Sequence, residues 1–219
     1  MPRFRDGSGI EGLPLIIVLS NALVFLFNAF QPGLINLLNL SNDALRAGQW
    51  WRLVTFVFVP PFVADGAAAS LSPLGVLMMV VWFMFLHTMV TALEEAWGSF
   101  RFTVYFLAGA AATALVGLLP LHGVVTNGYL QASLFLAFAT LFPDVEVLLF
   151  FLLPVKVKWL GYLTGASLGW ALLTSDAVGR LAVAAGLVNY FLILGPDLWD
   201  RILARWRAAR HRKRFQDRP

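Results

Sequence analysis

Cysteine is absent from the 219 residues, and charge is scarce: Asp, Glu, Lys and Arg together make up 13% of the chain. Without cysteine there is no disulfide framework, no thiol nucleophile and no thiolate metal site. The three histidines, His87, His122 and His211, stand far apart in the sequence, and no HExxH pair or paired intramembrane aspartate joins them, so neither a metal nor a cofactor is expected. What the chain has instead is hydrocarbon: 59% of its residues are hydrophobic and its mean hydropathy is +0.76. A soluble domain of this length cannot hide so much apolar surface. Several uncharged runs approach the roughly 20 residues needed to cross about 30 Å of lipid. The composition defines an all-α polytopic membrane protein whose first partner is the lipid bilayer. The sequence pI of 9.9 does not point to nucleic acid. Much of the positive charge falls in the tail Arg201 to Arg218, directly after a hydrophobic run, where positive-inside topology puts it, and no recognised nucleic-acid module accompanies it.

The hydrophobic runs divide the chain into six expected spans. LPLIIVLSNALVFLFNAF, 13 to 30, is the first, with Pro14 suited to an opening helical turn. It follows Arg3 and Arg5 like a signal peptide, but no small-residue cleavage site follows it. A long connection, 31 to 73, carries GQWWRLVTFVF and then PPFVADGAAASLSP, and leads to the second span, 74 to 93, and the third, 102 to 121. The fourth begins at TNGYLQASLFLAF, 126 to 138, and Pro143 stops it. VEVLLFFLLPVKVKW reads as an interfacial segment, marked by Pro154, Lys156 and Lys158. The fifth span is 159 to 173 and the sixth 181 to 195, closed by Pro196. Six spans put both termini on one side. Assigning that side to the cytoplasm places Arg3, Arg5, Arg101, Lys156, Lys158 and the basic tail inside, and leaves only Arg46, Arg52 and Arg180 outside. The expected organisation is a cytoplasmic segment 1–12, a membrane domain 13–197 and a basic cytoplasmic tail 198–219, in a bacterial inner membrane. In the tail, Trp199, Ile202, Leu203 and Trp206 follow i, i+3, i+4, i+7 spacing with Arg201, Arg205 and Arg210 off that face. That pattern fits either an amphipathic helix on anionic lipid of the inner leaflet or a solvated extension of the last span.

The fourth run leaves about 15 helical residues, or about 22 Å. A helix that short cannot cross the bilayer with its end facing lipid, because each free N–H would cost several kcal/mol there. Its head must sit within longer helices or open to water. Thr126, Asn127, Gly128 and Gln131 are therefore the candidate floor of a polar cavity, although Asn127 acting as a helix cap would account for the same residues.

Three stretches, GQWWRLVTFVF, LEEAWGSFRF and SLFLAFATLFPDVEVLLFFLLPVKVKWL, together resemble the rhomboid superfamily, in order from about residue 48 to the end of the sixth span. Trp50, Trp51 and Arg52 look like the rhomboid first-loop motif. Glu94, Gly98 and Phe102, with Arg101 between, look like the junction of its second and third helices. The resemblance implies a rhomboid-like six-transmembrane-helix bundle around a short central fourth helix. Rhomboids cleave transmembrane substrates with a serine in Gly-x-Ser-Gly on the fourth helix and a histidine on the sixth. Counting back from Leu141 to Pro143 puts the serine position on Gly128, inside TNGY. GLVNYFL, 186 to 192, resembles the GHIYYFL-type segment of Derlins, non-cleaving relatives, and puts the histidine position on Leu187. Neither glycine nor leucine can carry the chemistry. The resemblance thus implies a pseudoprotease that binds transmembrane segments of client proteins, in quality control, trafficking or regulation. The 60–73 insertion departs from the compact first loop of active rhomboids.

The alternative is an active intramembrane serine protease with non-standard residues. Ser133 lies five residues past Gly128, about 140° around the helix, and His87 with Ser133 is the one intramembrane pairing on offer. A serine in an apolar helix ordinarily bonds its own backbone, and His87 is expected to be packed or hydrogen-bonded rather than a base. A small transporter is a third class, weakened by the lack of an internal repeat. Glu94 and Glu95 read as an interfacial turn, or Glu94 as a buried tie between the second and third helices. Gly165 with Gly169, and Ala182 with Gly186, are expected at close helix contacts inside the bundle. Asn189 is expected to face the bundle.

Overall fold

In the computed structural model the described residues are 9, 10, 12–31, 33–60, 73–149 and 153–216, with 73, 74, 148, 149, 153 and 197–216 described by backbone alone. Arg3, Arg5 and residues 61–72 of the 60–73 insertion lie outside the described residues, as do the side chains of the tail stripe. Helix α1, Leu13–Phe30, covers the first apolar run, opening after Gly12 at φ 78° with Pro14 in its first turn. Four short helical pieces follow: α2, Leu34–Leu38, α3, Asn42–Arg46, α4, Arg52–Thr55, and a 3-10 turn, Phe56–Phe58. Then come α5, Pro73–Trp97, α6, Ser99–Leu118, α7, Gly128–Leu141, α8, Val157–Thr174, and α9, Ala177–Gln216.

Four of these helices are long and apolar enough to cross a membrane: Leu13–Phe30, Gly75–Trp97, Ser99–Leu118 and Ala177–Pro196. The chain is mostly helical and compatible with a multi-pass membrane protein. The expected fourth span, α7, has 14 residues, about 21 Å at 1.5 Å each. The expected fifth, α8, has 18 residues, diluted by Gly161, Thr164, Gly165, Ser167 and Gly169. The short α7 packs against α5, α6, α8 and α9. Its apolar residues need no lipid because protein surrounds them: Leu130, Leu134, Ala137 and Phe138 are buried.

Two features differ from the sequence expectation. First, two antiparallel strand pairs interrupt the helices. β1, Leu40–Ser41, pairs with β2, Val124–Val125, and β3, Glu146–Leu149, pairs with β4, Leu153–Lys156. The second pair is the segment read as interfacial; Pro154 fits there because a two-stranded sheet leaves one edge of each strand unpaired. Second, Pro196 does not close the last helix, which runs through it to Gln216. Proline removes one hydrogen bond and crowds the preceding turn, yet membrane helices carry such residues more often than soluble ones.

The two ends of the bundle are identified by their contacts. At one end, the Ile10 N–H donates to Thr103 Oγ1 at 3.2 Å, and Arg101 reaches across to the carbonyl of Ile193 at 3.0 Å. At the other, the β1–β2 pair joins the connection after α1 to the connection after α6. Residues 10, 101–103 and 193 therefore share one end.

A single residue, Gly98, separates α5 from α6, and its backbone stands at φ 82°, ψ 154°. Only glycine adopts that region without strain. Gly98→Ala should therefore lower stability by about 1–3 kcal/mol, read as a drop in melting temperature in detergent. Gly169→Ala is the control: a Cβ there meets nothing within 4 Å, and the variant should melt at or slightly above the wild-type temperature.

Candidate functional site

The polar turn before α7 is built from side chains that serve different partners. Asn127 precedes the helix with helical dihedrals and makes no side-chain cap bond. Its amide instead donates to the carbonyls of Val57 at 2.7 Å and Val59 at 3.3 Å. The cap expectation is thereby corrected. The 3-10 turn Phe56–Phe58 ends in buried surroundings, and its carbonyls need donors that no continuing helix supplies. Asn127 is 3% exposed, and its Oδ1 is buried without a hydrogen bond. Thr126, Gly128 and Gln131 are half-buried. Neither the Thr126 hydroxyl nor the Gln131 amide has a partner among the described residues. A Cβ on Gly128 would meet only Thr126 Oγ1, at 3.4 Å, so room exists beside it.

The same end carries a second amide tie that the sequence did not single out. Asn42, 1% exposed, points its Nδ2 at the carbonyls of Val116, Gly117 and Leu119, at 3.1, 2.8 and 3.1 Å. These carbonyls lie at and just past the end of α6, where the helical ladder stops; Val116 O also accepts from Leu119 N at 3.2 Å and Leu119 O from Leu121 N at 2.7 Å. Asn42 sits just after Ser41, whose Oγ accepts from Ala44 N at 3.4 Å. In sequence the Ser-Asn-Asp run looks like a local cap, so its reach to α6 leaves no linear signal.

Trp50, Trp51 and Arg52 have separate tasks. Trp50 and Trp51 are exposed, and Trp51 Nε1 donates to Leu37 O at 3.2 Å. Arg52 is buried: Nη1 donates to the carbonyls of Asn36 and Asn39 at 2.6 and 2.7 Å, and Nε to Gln49 Oε1 at 2.7 Å. Burial lowers the guanidinium pKa from its ordinary value, and a guanidinium stays charged through such a shift. It works as a fixed fork that ties α4 to the end of α2.

Beneath the turn, α7 meets α9 closely. A Cβ on Gly186 would lie 2.9 Å from the Tyr129 carbonyl, and Ala182 one turn earlier is 1% exposed. This pair is at an internal contact, as expected. Positions 128 and 187 are each one residue removed from that contact. Farther along, Thr140 Oγ1 and Tyr190 Oη are 2.8 Å apart, and Asn189, buried as expected, donates to Tyr105 O at 3.1 Å. Gly165 and Gly169 behave differently from the expectation. A Cβ at Gly165 would touch only Leu136 at 3.9 Å, and one at Gly169 nothing, whereas one at Gly161 would lie 2.7 Å from the Ala139 Cβ. The tight α7–α8 contact falls one turn earlier because α7 ends at Leu141 and only the start of α8 lies beside its last turn.

Chemically, the turn holds no nucleophile beside a base. Ser133 is fully buried and donates to Leu130 O at 2.8 Å in its own helix. His87 is exposed on α5 with no hydrogen bond among the described residues, contrary to the expectation of a packed imidazole. His122 is exposed beside Asp43 at 2.8 Å. The His211 side chain lies outside the described residues. Among the described residues no group of three metal-ligating side chains comes together.

At the opposite end, Arg101 joins α6 to α9 through Ile193 O and lies 6.0 Å from the centre of the Trp97 ring. Glu94 is half-buried with Oε1 unpartnered, and Glu95 is exposed. Glu94 is thus neither a wholly solvated turn residue nor a tie between helices.

No family model, curated protein or solved structure matches this chain.

Removing the Asn127 donor would strand two buried carbonyls. Asn127→Ala should cost about 1–3 kcal/mol. Asn127→Asp should cost more, since it sets an acceptor against acceptors. Chemical or thermal unfolding of both variants checks the order; equal melting of Asn127→Asp and wild type would show that the tie contributes nothing.

Proposed function

We propose that this protein is a rhomboid-like, catalytically inactive membrane protein that binds transmembrane segments of client proteins. The observation that carries the proposal is the α7–α9 contact. It seats Gly186 against Tyr129, each one residue from positions 187 and 128, where the resemblance puts a histidine and a serine and where this chain holds leucine and glycine. The scaffold suits binding. A 14-residue helix ringed by α5, α6, α8 and α9 keeps its polar head within the bundle. Around Gly128 the Thr126 hydroxyl, the Gln131 amide and Asn127 Oδ1 retain hydrogen-bonding capacity. A locally unwound client backbone needs such partners at membrane depth.

In this account α7 and α8 are the fourth and fifth of six spans. The shared end of residues 10, 101–103 and 193 is the cytoplasmic one, of a bacterial inner membrane, because Lys156, Lys158 and the basic tail accompany it. The tail then meets anionic lipid. The runner-up, a protease with displaced residues, is disfavoured by Ser133, whose hydroxyl is spent on Leu130 O, and by the exposed positions of His87 and His122.

Purified protein treated with a serine-directed fluorophosphonate should remain unlabelled, and a transmembrane reporter reconstituted with it should stay intact. Cleavage that disappears in Ser133→Ala would overturn the proposal.

A further inference from the structure

The outward face of α5 changes character along its length. Val80 and Met84 are exposed and apolar; His87 follows, exposed; Thr91 is half-buried; Glu94, half-buried, and Glu95, exposed, lie in the last turns. Spacings of three and four residues put these on one side of the helix. Helix α1 covers a neighbouring side, with the Phe25 and Phe83 rings 6.1 Å apart, and leaves His87 uncovered. Seven residues, roughly 10 Å of helix, separate His87 from Glu94. If the Glu94 end meets the membrane surface, His87 faces lipid deep in the hydrocarbon.

Lipid tails offer an imidazole neither donor nor acceptor. Ionisable side chains at that depth are costly and are ordinarily paired. His87 has no hydrogen bond among the described residues. Thr88, by contrast, is satisfied within its own helix by Met84 O at 2.9 Å. Neither Glu94 nor Glu95 has an ion-pair partner among the described residues.

We propose that this face of α5 docks a transmembrane helix of another protein, one that carries a carboxylic acid opposite His87 and a lysine or arginine two turns nearer the Glu94 end. The charges fix that choice of occupant. An imidazole is best complemented by a carboxyl group, whether as an ion pair or as a neutral hydrogen bond, and the exposed carboxylate of Glu95 is complemented by a cation. An apolar outer half then meets Val80 and Met84. The inference uses no residue of the turn before α7, so it stands or falls separately from client binding there.

The test uses the full chain in phosphatidylcholine vesicles. Because the protein lacks cysteine, one introduced cysteine can carry a fluorescent donor. Acceptor-labelled Leu/Ala helices supply the partner: one with a central Asp and a Lys seven residues on, one with Asn in place of Asp, and one with neither. The Asp–Lys helix should associate about three- to tenfold more tightly than the apolar helix, the range of interhelical polar contacts in membranes. His87→Leu should abolish that preference without changing the melting temperature, since the side chain is exposed. Glu94→Gln with Glu95→Gln should remove the share due to Lys. Equal association of the Asp–Lys and apolar helices would overturn the inference, as would a preference that survives His87→Leu. An Asn helix that binds as well as the Asp helix would overturn the choice of acid. Energy transfer between two copies of the chain that is lost in His87→Leu would identify a second copy as the occupant instead.

Discussion

Two asparagine amides tie helix and turn ends to segments far away in the chain. Asn42 serves the last carbonyls of α6, and Asn127 serves the carbonyls at the end of the 3-10 turn. Both partners lie far away in sequence, so each bond also fixes a tertiary position. Together with the β1–β2 pair and the Arg52 fork they hold the connection after α1 against the helix ends. The head of α7 is thereby held against protein, with Asn127 and Leu130 buried. Without these ties the short helix would expose a costly end, and the arrangement of α7 among α5, α6, α8 and α9 would lose its cover.

The long helices could be read from the sequence because hydrophobic runs and breakers act locally. Leu13–Phe30 coincides with the first run, and Gly98 marks the α5–α6 break with the one backbone conformation only glycine tolerates easily. The shortness of α7 followed from the distance between the TNG turn and Pro143. What could not be read depends on partners distant in sequence. Asn127 resembles a cap in sequence and is a tertiary tie in space. Asn42 has the same ambiguity. The strands Glu146–Leu149 and Leu153–Lys156 lie in an apolar run with no alternation to identify them, and Pro154 read as an interruption. Pro196 misled because a local rule for helix ends was applied where the helix continues. On α8, the spacing of Gly165 and Gly169 signalled close packing, but spacing does not say which rung of a ladder faces a neighbour, and Gly161 does. His87 is the converse: an apolar span suggested a packed imidazole, and the helix turns it outward.

The candidate site combines rigidity with unused polar capacity. Asn127 spends its donors on the outer connection and keeps a buried, unpaired oxygen, while Thr126 and Gln131 remain half-buried and unpartnered beside a glycine with space around it. A hydrolase at that place would need a nucleophile whose proton has somewhere to go. Ser133 donates to a backbone carbonyl of its own helix, and the titratable group beside it is the buried Tyr105 phenol. A binding surface needs only groups that a client backbone can satisfy and a mouth that admits it.

The central claim is that the head of α7 faces a bound transmembrane segment. It is tested most directly by photocrosslinking from a benzophenone residue at position 131, in native membranes, with and without Gly128→Leu. The substitution fills the open space next to Thr126 and removes no hydrogen bond of a side chain. Crosslinks to a transmembrane segment of another protein are predicted in the parent and should fall in Gly128→Leu, while the detergent melting temperature stays near that of the parent. Crosslinks only to the protein's own helices, unchanged by Gly128→Leu, would contradict the account and leave the turn as a closure of α7 alone.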